Sequence, residues 1–158
     1  MIEGISFGRE IALGIGIGTL FIILNAAFGL VIGIPILAFS SDAERYIIQG
    51  GIAPIVEELV FRAVLPFMLA ILGIPLLLNG IVNIASFSLY HYTAYGANFT
   101  AASSLFIGAG LFGLVAFLVT YYNSDEGDFQ VPLAAIIGHA IINTWLGIKI
   151  LGLVVIGI

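Results

Sequence analysis

Three of the chain's few charged residues lie together in an apolar stretch, in the run EELVFR at residues 57–62. The whole sequence has only four Lys and Arg and nine Asp and Glu residues. An ionisable side chain at the centre of a membrane helix costs about 2.5–3.5 kcal/mol on insertion scales, so such residues usually mark a functional site. Two polar pairs in similarly apolar surroundings, Phe87/His91 and His139/Asn143, complete the candidate site.

The spacing of these residues fits helices. Residues four apart share one face of a helix, and each of the three motifs contains such a pair, the first being Glu58 and Arg62. Glu57 lies about 100° round the helix from Glu58, so the two carboxylates point in different directions. One carboxylate can bind Arg62 within its own helix while the other faces a cavity, where a carboxylate acts as a base.

The composition indicates a membrane protein, whose helices would position these groups. Hydrophobic residues make up 61% of the 158 residues and charged residues only 8%, against about 25% charged residues in soluble domains. A spanning helix needs about 20 residues. We therefore predict an all-α fold, a polytopic membrane helix bundle of about five transmembrane helices, with no separate soluble domain. Within the single domain 1–158, residues 1–45 form an N-terminal span and loop, and residues 46–158 a four-span core that carries the three motifs.

The predicted spans are separated by polar loops or by Gly/Pro breaks, and they run from about Glu10 to Phe39, Pro54 to Leu72, Leu76 to Tyr92, Ala101 to Tyr122, and Val131 to the C-terminus. Gly50-Gly51 before Pro54 predicts a break, with the proline in the first helical turn. Residues 46–53 are either a short interfacial helix or the beginning of the second span. Pro66 removes the hydrogen bond to the carbonyl of Arg62, so we expect a bend there.

Several smaller features refine this outline. Gly14 and Gly18 have the spacing that permits close helix packing, and Gly73-Ile74-Pro75 predicts a tight turn. Tyr121 and Tyr122 fit an aromatic belt at the membrane interface. The acidic turn at residues 125–128 lacks the ligand pattern of a calcium loop, and Lys149 receives no role.

The charge and the termini exclude other classes. A net charge of −5 argues against binding nucleic acid, and the absence of cysteine excludes disulfides and thiolate chemistry. The N-terminus lacks the basic region of a cleaved signal peptide, so the first apolar segment is interpreted as a retained span. Five spans place the two termini on opposite sides of the membrane.

The polar residues also agree in depth. Successive spans run antiparallel, so Glu57 near the start of the second span and His91 near the end of the third lie toward one membrane face, that of the loop at residues 40–45. Asn143 lies about twelve residues into the last span, roughly 18 Å from the opposite face of a core about 30 Å thick. These groups can therefore converge in one half of the bilayer.

The three motifs resemble those of a known family. The run EELVFR at 57–62 resembles the EExxxR motif of the CAAX protease and bacteriocin-processing (Abi-type) family of glutamate intramembrane endopeptidases. FSLYH at 87–91 resembles its FxxxH motif, and HAIIN at 139–143 its HxxxN motif, in the family's order. The resemblance covers about residues 50 to 150. Ala63 stands where many members have glycine, and the chain is short, which bears on substrate docking.

The resemblance implies an intramembrane endopeptidase, in the cell membrane of a prokaryote, that uses no cofactor and no metal. Its substrate would be a membrane-embedded or lipid-modified peptide or protein within the lipid bilayer. The implied site residues fall into three groups: Glu57 and His91 to activate water, His139 and Asn143 to hold the oxyanion, and Glu58, Arg62 and Phe87 to support the site.

Three other functions fit parts of the pattern. Two glutamates and two histidines could ligate zinc in a metallopeptidase, although the sequence has no HExxH motif. Intramembrane Glu, Arg and His also suit a proton- or ion-coupled transporter, although no inverted repeat is evident. A non-catalytic scaffold or immunity protein would keep the bundle and tolerate Glu57→Gln.

Overall fold

A computed structural model of the protein describes residues 7–32, 48–94, 99–121 and 130–155. These residues form five long helices and contain no strand, which confirms the predicted all-α bundle. We number the helices α1 (Phe7–Ile32), α2 (48–71), α3 (Leu76–Ala94), α4 (Phe99–Tyr121) and α5 (Leu133–Val155). The predictions for residues 33–47 and 122–129, including the two polar loops, lie outside the described residues, as does the side chain of Lys149.

Helix α2 is composite. It consists of a π-helical turn, an α-helical segment, a second π-helical turn and a second α-helical segment, which are Ile48–Ile52, Ala53–Leu59, Val60–Val64 and Leu65–Ile71. The predicted break at Gly50-Gly51 is therefore wrong, and this stretch begins the second span. Pro54 does lie in the first turn of the α-helical segment, as predicted. A π turn pairs a carbonyl with the residue five positions later, and this turn leads without interruption into the α-helical segment that contains Pro54.

The second π turn lies where Pro66 was expected to bend the helix. The N–H of Leu65 donates to the carbonyl of Val60, five residues earlier. Proline cannot bond the carbonyl of Arg62, and the hydroxyl of Tyr121 on α4 donates to that oxygen at 2.9 Å. The effect of the proline is therefore a local widening of α2, which the hydrogen bond from Tyr121 of α4 stabilises.

Tyr121 differs from its sequence prediction. It was assigned to an interfacial aromatic belt, but it is buried in the bundle. A buried tyrosine hydroxyl needs a polar partner. The carbonyl of Arg62 is that partner, so the side chain of Tyr121 can be buried. Similarly, the amide of Asn79 on α3 donates to the carbonyl of Pro66 at 2.8 Å.

The turn between α2 and α3 follows the prediction. Gly73 has a φ of +75°, a left-handed conformation that glycine adopts without steric cost. The N–H of Gly73 donates to the carbonyl of Ala70 at 2.9 Å, and that of Ile74 to Leu69 at 3.0 Å. These two bonds form a Schellman motif, which ends α2 and reverses the chain.

Helix α1 packs closely on α5 through its glycines. A Cβ atom at Gly14 would lie 2.8 Å from the carbonyl oxygen of Ala134, and one at Gly18 would lie 2.8 Å from the Cβ atom of Ile141. Both distances are shorter than real contacts allow, so only glycine fits there. Gly14 and Gly18 thus let the backbones of α1 and α5 approach closely, as small residues four apart commonly do in membrane bundles.

The apolar core lies between α1, α3, α4 and α5. Its buried members are Ile17, Phe21, Phe87, Ala109, Phe112, Ala116, Ala134, Ala135 and Ile142. Four of the nine are alanines, which let helices approach without interlocking large side chains. The charged segment of α2 is held against this core.

The outside of the bundle is apolar. Large exposed hydrophobic residues occur on α1 to α4 and just before α5, for example Ile23, Val60, Leu77, Leu118 and Val131. Among the described residues, one helix, Phe7–Ala27, is by itself long and apolar enough to cross a membrane, and two shorter apolar helices, Phe106–Tyr121 and Leu133–Trp145, accompany it. Most of the buried charged and amide side chains lie on α2 and α3, namely Glu58, Arg62, Asn79 and Asn83, and Asn25 of α1 is a further one.

Candidate active site

The two adjacent glutamates of α2 occupy different environments. The side chain of Glu58 is fully buried, at 0% exposure, whereas that of Glu57 remains 17% exposed. The rotation of about 100° between neighbouring residues of a helix produces this difference. Glu58 therefore faces the bundle interior, and Glu57 faces a partly accessible cleft.

Glu58 pairs with Arg62 inside the bundle. Its Oε2 atom lies 3.3 Å from Nε of Arg62, and both side chains are fully buried. The guanidinium carbon lies 3.8 Å from the centre of the Phe87 ring, a cation–π contact that stabilises a desolvated cation. A Cβ atom at Gly113 on α4 would lie 3.0 Å from Nη2 of Arg62, so this glycine leaves room for the guanidinium.

His139 joins the buried pair to the cleft. Its Nδ1 atom lies 2.8 Å from Oε1 of Glu58. Because Glu58 faces the cationic Arg62, it is a carboxylate and accepts this hydrogen bond. The other ring nitrogen, Nε2, lies 3.8 Å from Oε2 of Glu57, so His139 connects both glutamates.

His91 reaches Glu57 from α3. Its Nδ1 atom lies 2.9 Å from the carbonyl oxygen of Phe87. A carbonyl can only accept, so Nδ1 carries the proton and donates it. Its Nε2 atom lies 3.5 Å from Oε2 of Glu57. The same carboxylate oxygen thus faces both imidazoles.

Phe87 connects these parts through its ring. The ring centre lies 4.3 Å from that of His91 and 6.1 Å from that of His139. The guanidinium carbon of Arg62 lies 3.8 Å from the same ring centre. Phe87 is 1% exposed, so its position is fixed by packing. It packs against both His91, one turn further along its own helix, and the buried Arg62 of α2.

Asn143 follows His139 on α5 by one helical turn and is partly buried. The structure thus brings Glu57, His91 and His139 into direct proximity and keeps Asn143 on the same helix as His139. Glu57, His91 and His139 each offer one donor atom, and these atoms all lie within 4.8 Å of one another. The arrangement can activate water, carry a proton or hold a cation.

Sequence reasoning missed Tyr90 and Tyr121. The hydroxyl of Tyr90 donates to Oε1 of Glu57 at 3.5 Å, while Oε2 of the same carboxylate faces the histidines. Tyr121 donates to the carbonyl of Arg62. The signal available for Tyr90 was its position immediately before the motif histidine. The signal for Tyr121 was indirect: Pro66 leaves the carbonyl of Arg62 without its helical N–H partner, so another donor was to be expected.

Comparison with known proteins agrees with the motifs. A sequence model of the family described as "Type II CAAX prenyl endopeptidase Rce1-like" matches residues 40–145, which is most of the chain and includes all three motifs. No curated protein matches the chain, and no solved structure matches it.

Proposed function

This chain belongs to the family of Rce1-like type II CAAX prenyl endopeptidases, and we propose that it is an intramembrane endopeptidase in which Glu57 is the base. The observation that carries the proposal is the position of one carboxylate oxygen. Oε2 of Glu57 faces Nε2 of His91 at 3.5 Å and Nε2 of His139 at 3.8 Å. Glu58 is already bound to Arg62 and His139, so Glu57 is the carboxylate left for chemistry.

Water activation follows from these positions. A water molecule in the cleft donates one hydrogen to Oε2 of Glu57 and the other to Nε2 of His91, because both atoms are acceptors when His91 donates from Nδ1. Its oxygen lone pair then faces the substrate carbonyl carbon. The oxygen–carbon bond forms as the first proton passes to Glu57, which is general-base catalysis.

The oxyanion is held from α5. His139 donates from Nδ1 to Glu58, so its Nε2 donates only when the ring carries a second proton. The carboxylate of Glu58 stabilises such an imidazolium, as an acidic partner does in other catalytic histidine pairs. The side-chain amide of Asn143, one turn further, supplies a second donor.

The tetrahedral intermediate then collapses. Glu57 returns its proton to the amide nitrogen, the carbon–nitrogen bond breaks, and the oxyanion electrons restore the carbonyl as a carboxylic acid. Both the glutamate and the histidines recover their starting states. Within this scheme Arg62 and Phe87 are positioning residues, since they contact Glu58 and the imidazoles instead of the reacting atoms.

The surroundings of the site support a proposal for the substrate class. Glu57 and His91 are each less than one fifth exposed inside a bundle with an apolar outer surface. We infer a membrane-embedded or lipid-modified peptide that enters from the bilayer, with the prenylated CAAX tail of the family name as one such substrate. The prokaryotic cell membrane is the proposed location, on the resemblance to bacteriocin-processing enzymes. Residues 46–158 are the proposed catalytic core, with residues 1–45 as an added span and loop.

A cleavage assay tests the proposal. Purified protein in liposomes is incubated with a library of transmembrane, membrane-proximal and prenylated peptides, and products are identified by mass. The wild type should cut at least one class, Glu57→Gln should cut none, and Glu10→Gln, a change on α1 remote from the site, should cut as the wild type does. Full activity in Glu57→Gln would refute Glu57 as base, and a wild type that cuts no peptide would favour a scaffold.

A further inference from the structure

We propose that Glu57, His91 and His139 form a binding site for a divalent transition-metal cation, best suited to Zn²⁺, and that the bound ion inhibits the peptidase. Ion binding is argued from the geometry alone, whereas inhibition rests on the proposed function. The three donor atoms come from α2, α3 and α5 and lie within 4.8 Å of one another. Two of the three ligands are the only histidines of the chain.

The hydrogen bonds of the histidines direct their lone pairs inward. His91 gives its Nδ1 proton to the carbonyl of Phe87 at 2.9 Å. His139 gives its Nδ1 proton to the carboxylate of Glu58 at 2.8 Å. In each neutral ring the Nε2 atom therefore carries the lone pair, and each Nε2 faces Glu57.

These outer contacts match those of known metal sites. A histidine that binds a metal usually donates its other N–H to a carboxylate or a backbone carbonyl, which fixes the ring and makes it a better ligand. His139 has the first kind of partner and His91 the second. Both rings are also packed, at 8% and 18% side-chain exposure, so little ordering is needed on binding.

The two distances from Glu57 to the histidines are close to those of a zinc site. Zinc bonds of about 2.0–2.2 Å in a tetrahedral site separate the ligand atoms by roughly 3.3–3.5 Å. Oε2 of Glu57 lies 3.5 Å from Nε2 of His91 and 3.8 Å from Nε2 of His139. Two imidazoles and one carboxylate favour Zn²⁺ and its neighbours, whereas Mg²⁺ and Ca²⁺ prefer oxygen ligands alone. The fourth position would face the cleft.

The same three atoms must otherwise share protons. Three converging acceptors repel one another unless a proton or a cation lies between them. In the proposed reaction the water and a second proton on His139 fill this role. A metal ion takes the same place, so protons and the metal compete for one site.

The bound ion leaves no base. A zinc peptidase with a two-histidine, one-glutamate site uses a further glutamate as its base. Within the described residues of helices α2, α3, α4 and α5, Glu57 and Glu58 are the only acidic side chains. Glu57 would be a ligand, and Glu58 is held by Arg62 and His139. Among the described residues of these helices, no further carboxylate is left to accept a proton from water at the metal-loaded site.

Cobalt provides the direct test of binding. Protein purified without a histidine tag is titrated with Co²⁺, whose visible absorption reports tetrahedral nitrogen and oxygen ligands, and Zn²⁺ is then added to displace it. We expect one ion per chain. Glu57→Gln and His91→Ala should each weaken the affinity about tenfold or more, since even outer partners of a metal site cost that much. Glu10→Gln is the control that should bind normally.

A second measurement covers variants that fold poorly. An ion that binds only the folded protein raises its melting temperature, so Zn²⁺ should stabilise the wild type and Glu10→Gln but not a folded Glu57→Gln. Absence of Co²⁺ binding by the folded wild type would overturn the site. Unchanged affinity in both Glu57→Gln and His91→Ala would also overturn it.

Peptide cleavage separates inhibition from the proposed function. Micromolar Zn²⁺ should stop cleavage, and a chelator should restore it. Loss of activity on chelation, with recovery on adding Zn²⁺, would overturn both the inhibitory role and the metal-free mechanism. Tight Co²⁺ binding in a protein that cleaves no peptide with or without chelator would uphold the metal site, and it would overturn the proposed peptidase together with the inhibition.

Discussion

Glu57 and Glu58 are adjacent in sequence and chemically identical, yet they belong to different regions of the molecule. We call the partly exposed group of Glu57, His91 and Tyr90 the cleft side. We call the buried group of Glu58 and Arg62 the core side. Glu58 bonds an arginine and a histidine nitrogen within the bundle, whereas Glu57 faces two histidine nitrogens and a tyrosine hydroxyl at longer range.

The difference shows how surroundings assign roles to the same side chain. A carboxylate whose two oxygens both have close cationic or N–H partners is a structural anion, and its removal leaves unpaired buried charge. A carboxylate at 3.5 Å or more from its neighbours has space for a water molecule and can exchange protons. His139 contacts both sides, so it couples the structural anion to the reactive one.

The largest expected effect separates the two glutamates directly. Glu57→Gln should lower turnover by about 10²–10⁴-fold, the usual contribution of a general base. It should leave stability within about 0.5 kcal/mol, because the side chain is partly exposed and its nearest polar partners lie at 3.5 Å or more. Glu58→Gln should lower stability as well, because Arg62 loses its counter-charge. Steady-state cleavage and denaturation in detergent measure both. Equal loss of stability in the two variants would remove the distinction.

Removing the cation tests the core side alone. Arg62→Ala should cost roughly 3–5 kcal/mol, because Glu58 would remain buried and unpaired. Thermal denaturation in detergent measures the loss, and Arg9→Ala, a change at an exposed arginine of α1, is the matched control. An Arg62→Ala protein that is as stable as the wild type but inactive would make the pair chemical instead of structural.

The sequence predicted much of the frame of both sides. Composition predicted the membrane bundle, and the glycine spacing in α1 predicted a close helix contact, for which the structure gives α5 as the partner. The four-residue spacings of the motifs predicted the ion pair of Glu58 with Arg62. These features are local, since residues within one helix have fixed relative positions. The similar membrane depth of the polar residues on antiparallel spans extended the prediction to groups on different helices.

Contacts between helices were less predictable. Hydropathy gives the position of Tyr121 along α4, but the direction of its side chain depends on how α4 packs against α2. The same applies to Tyr90 and to the bond between His139 and Glu58. The continuous start of α2 through Gly50-Gly51 was also missed, because a π turn tolerates Pro54 where standard helix rules predict a break.

The glycines of α1 test the frame that holds both sides. Gly14→Leu should destabilise the protein by about 1–3 kcal/mol, the usual cost of overpacking, because the new side chain meets the backbone of Ala134. Gly16→Leu is the matched control, since nothing lies within 4 Å of a Cβ atom there. Denaturation in detergent measures both variants. Equal stability of the two would mean that α1 does not pack on α5 through Gly14.

The smallest effects should come from the two tyrosines, one on each side of the comparison. Tyr90→Phe removes a long hydrogen bond of 3.5 Å to Glu57, worth about 0.5–1.5 kcal/mol. It should lower turnover two- to tenfold by this estimate and leave stability unchanged, because its hydroxyl is at the exposed rim. Tyr121→Phe removes a buried bond of 2.9 Å to the carbonyl of Arg62.

Tyr121→Phe should therefore show the opposite pattern. Leaving the carbonyl of Arg62 with one partner fewer in the core should cost about 1–3 kcal/mol of stability, with turnover little changed at temperatures where the protein stays folded. Cleavage rates and melting temperatures of the two variants, measured side by side, give the comparison. If Tyr90→Phe melts earlier while Tyr121→Phe loses turnover, the cleft and core sides exchange their roles, and the division drawn between Glu57 and Glu58 fails with them.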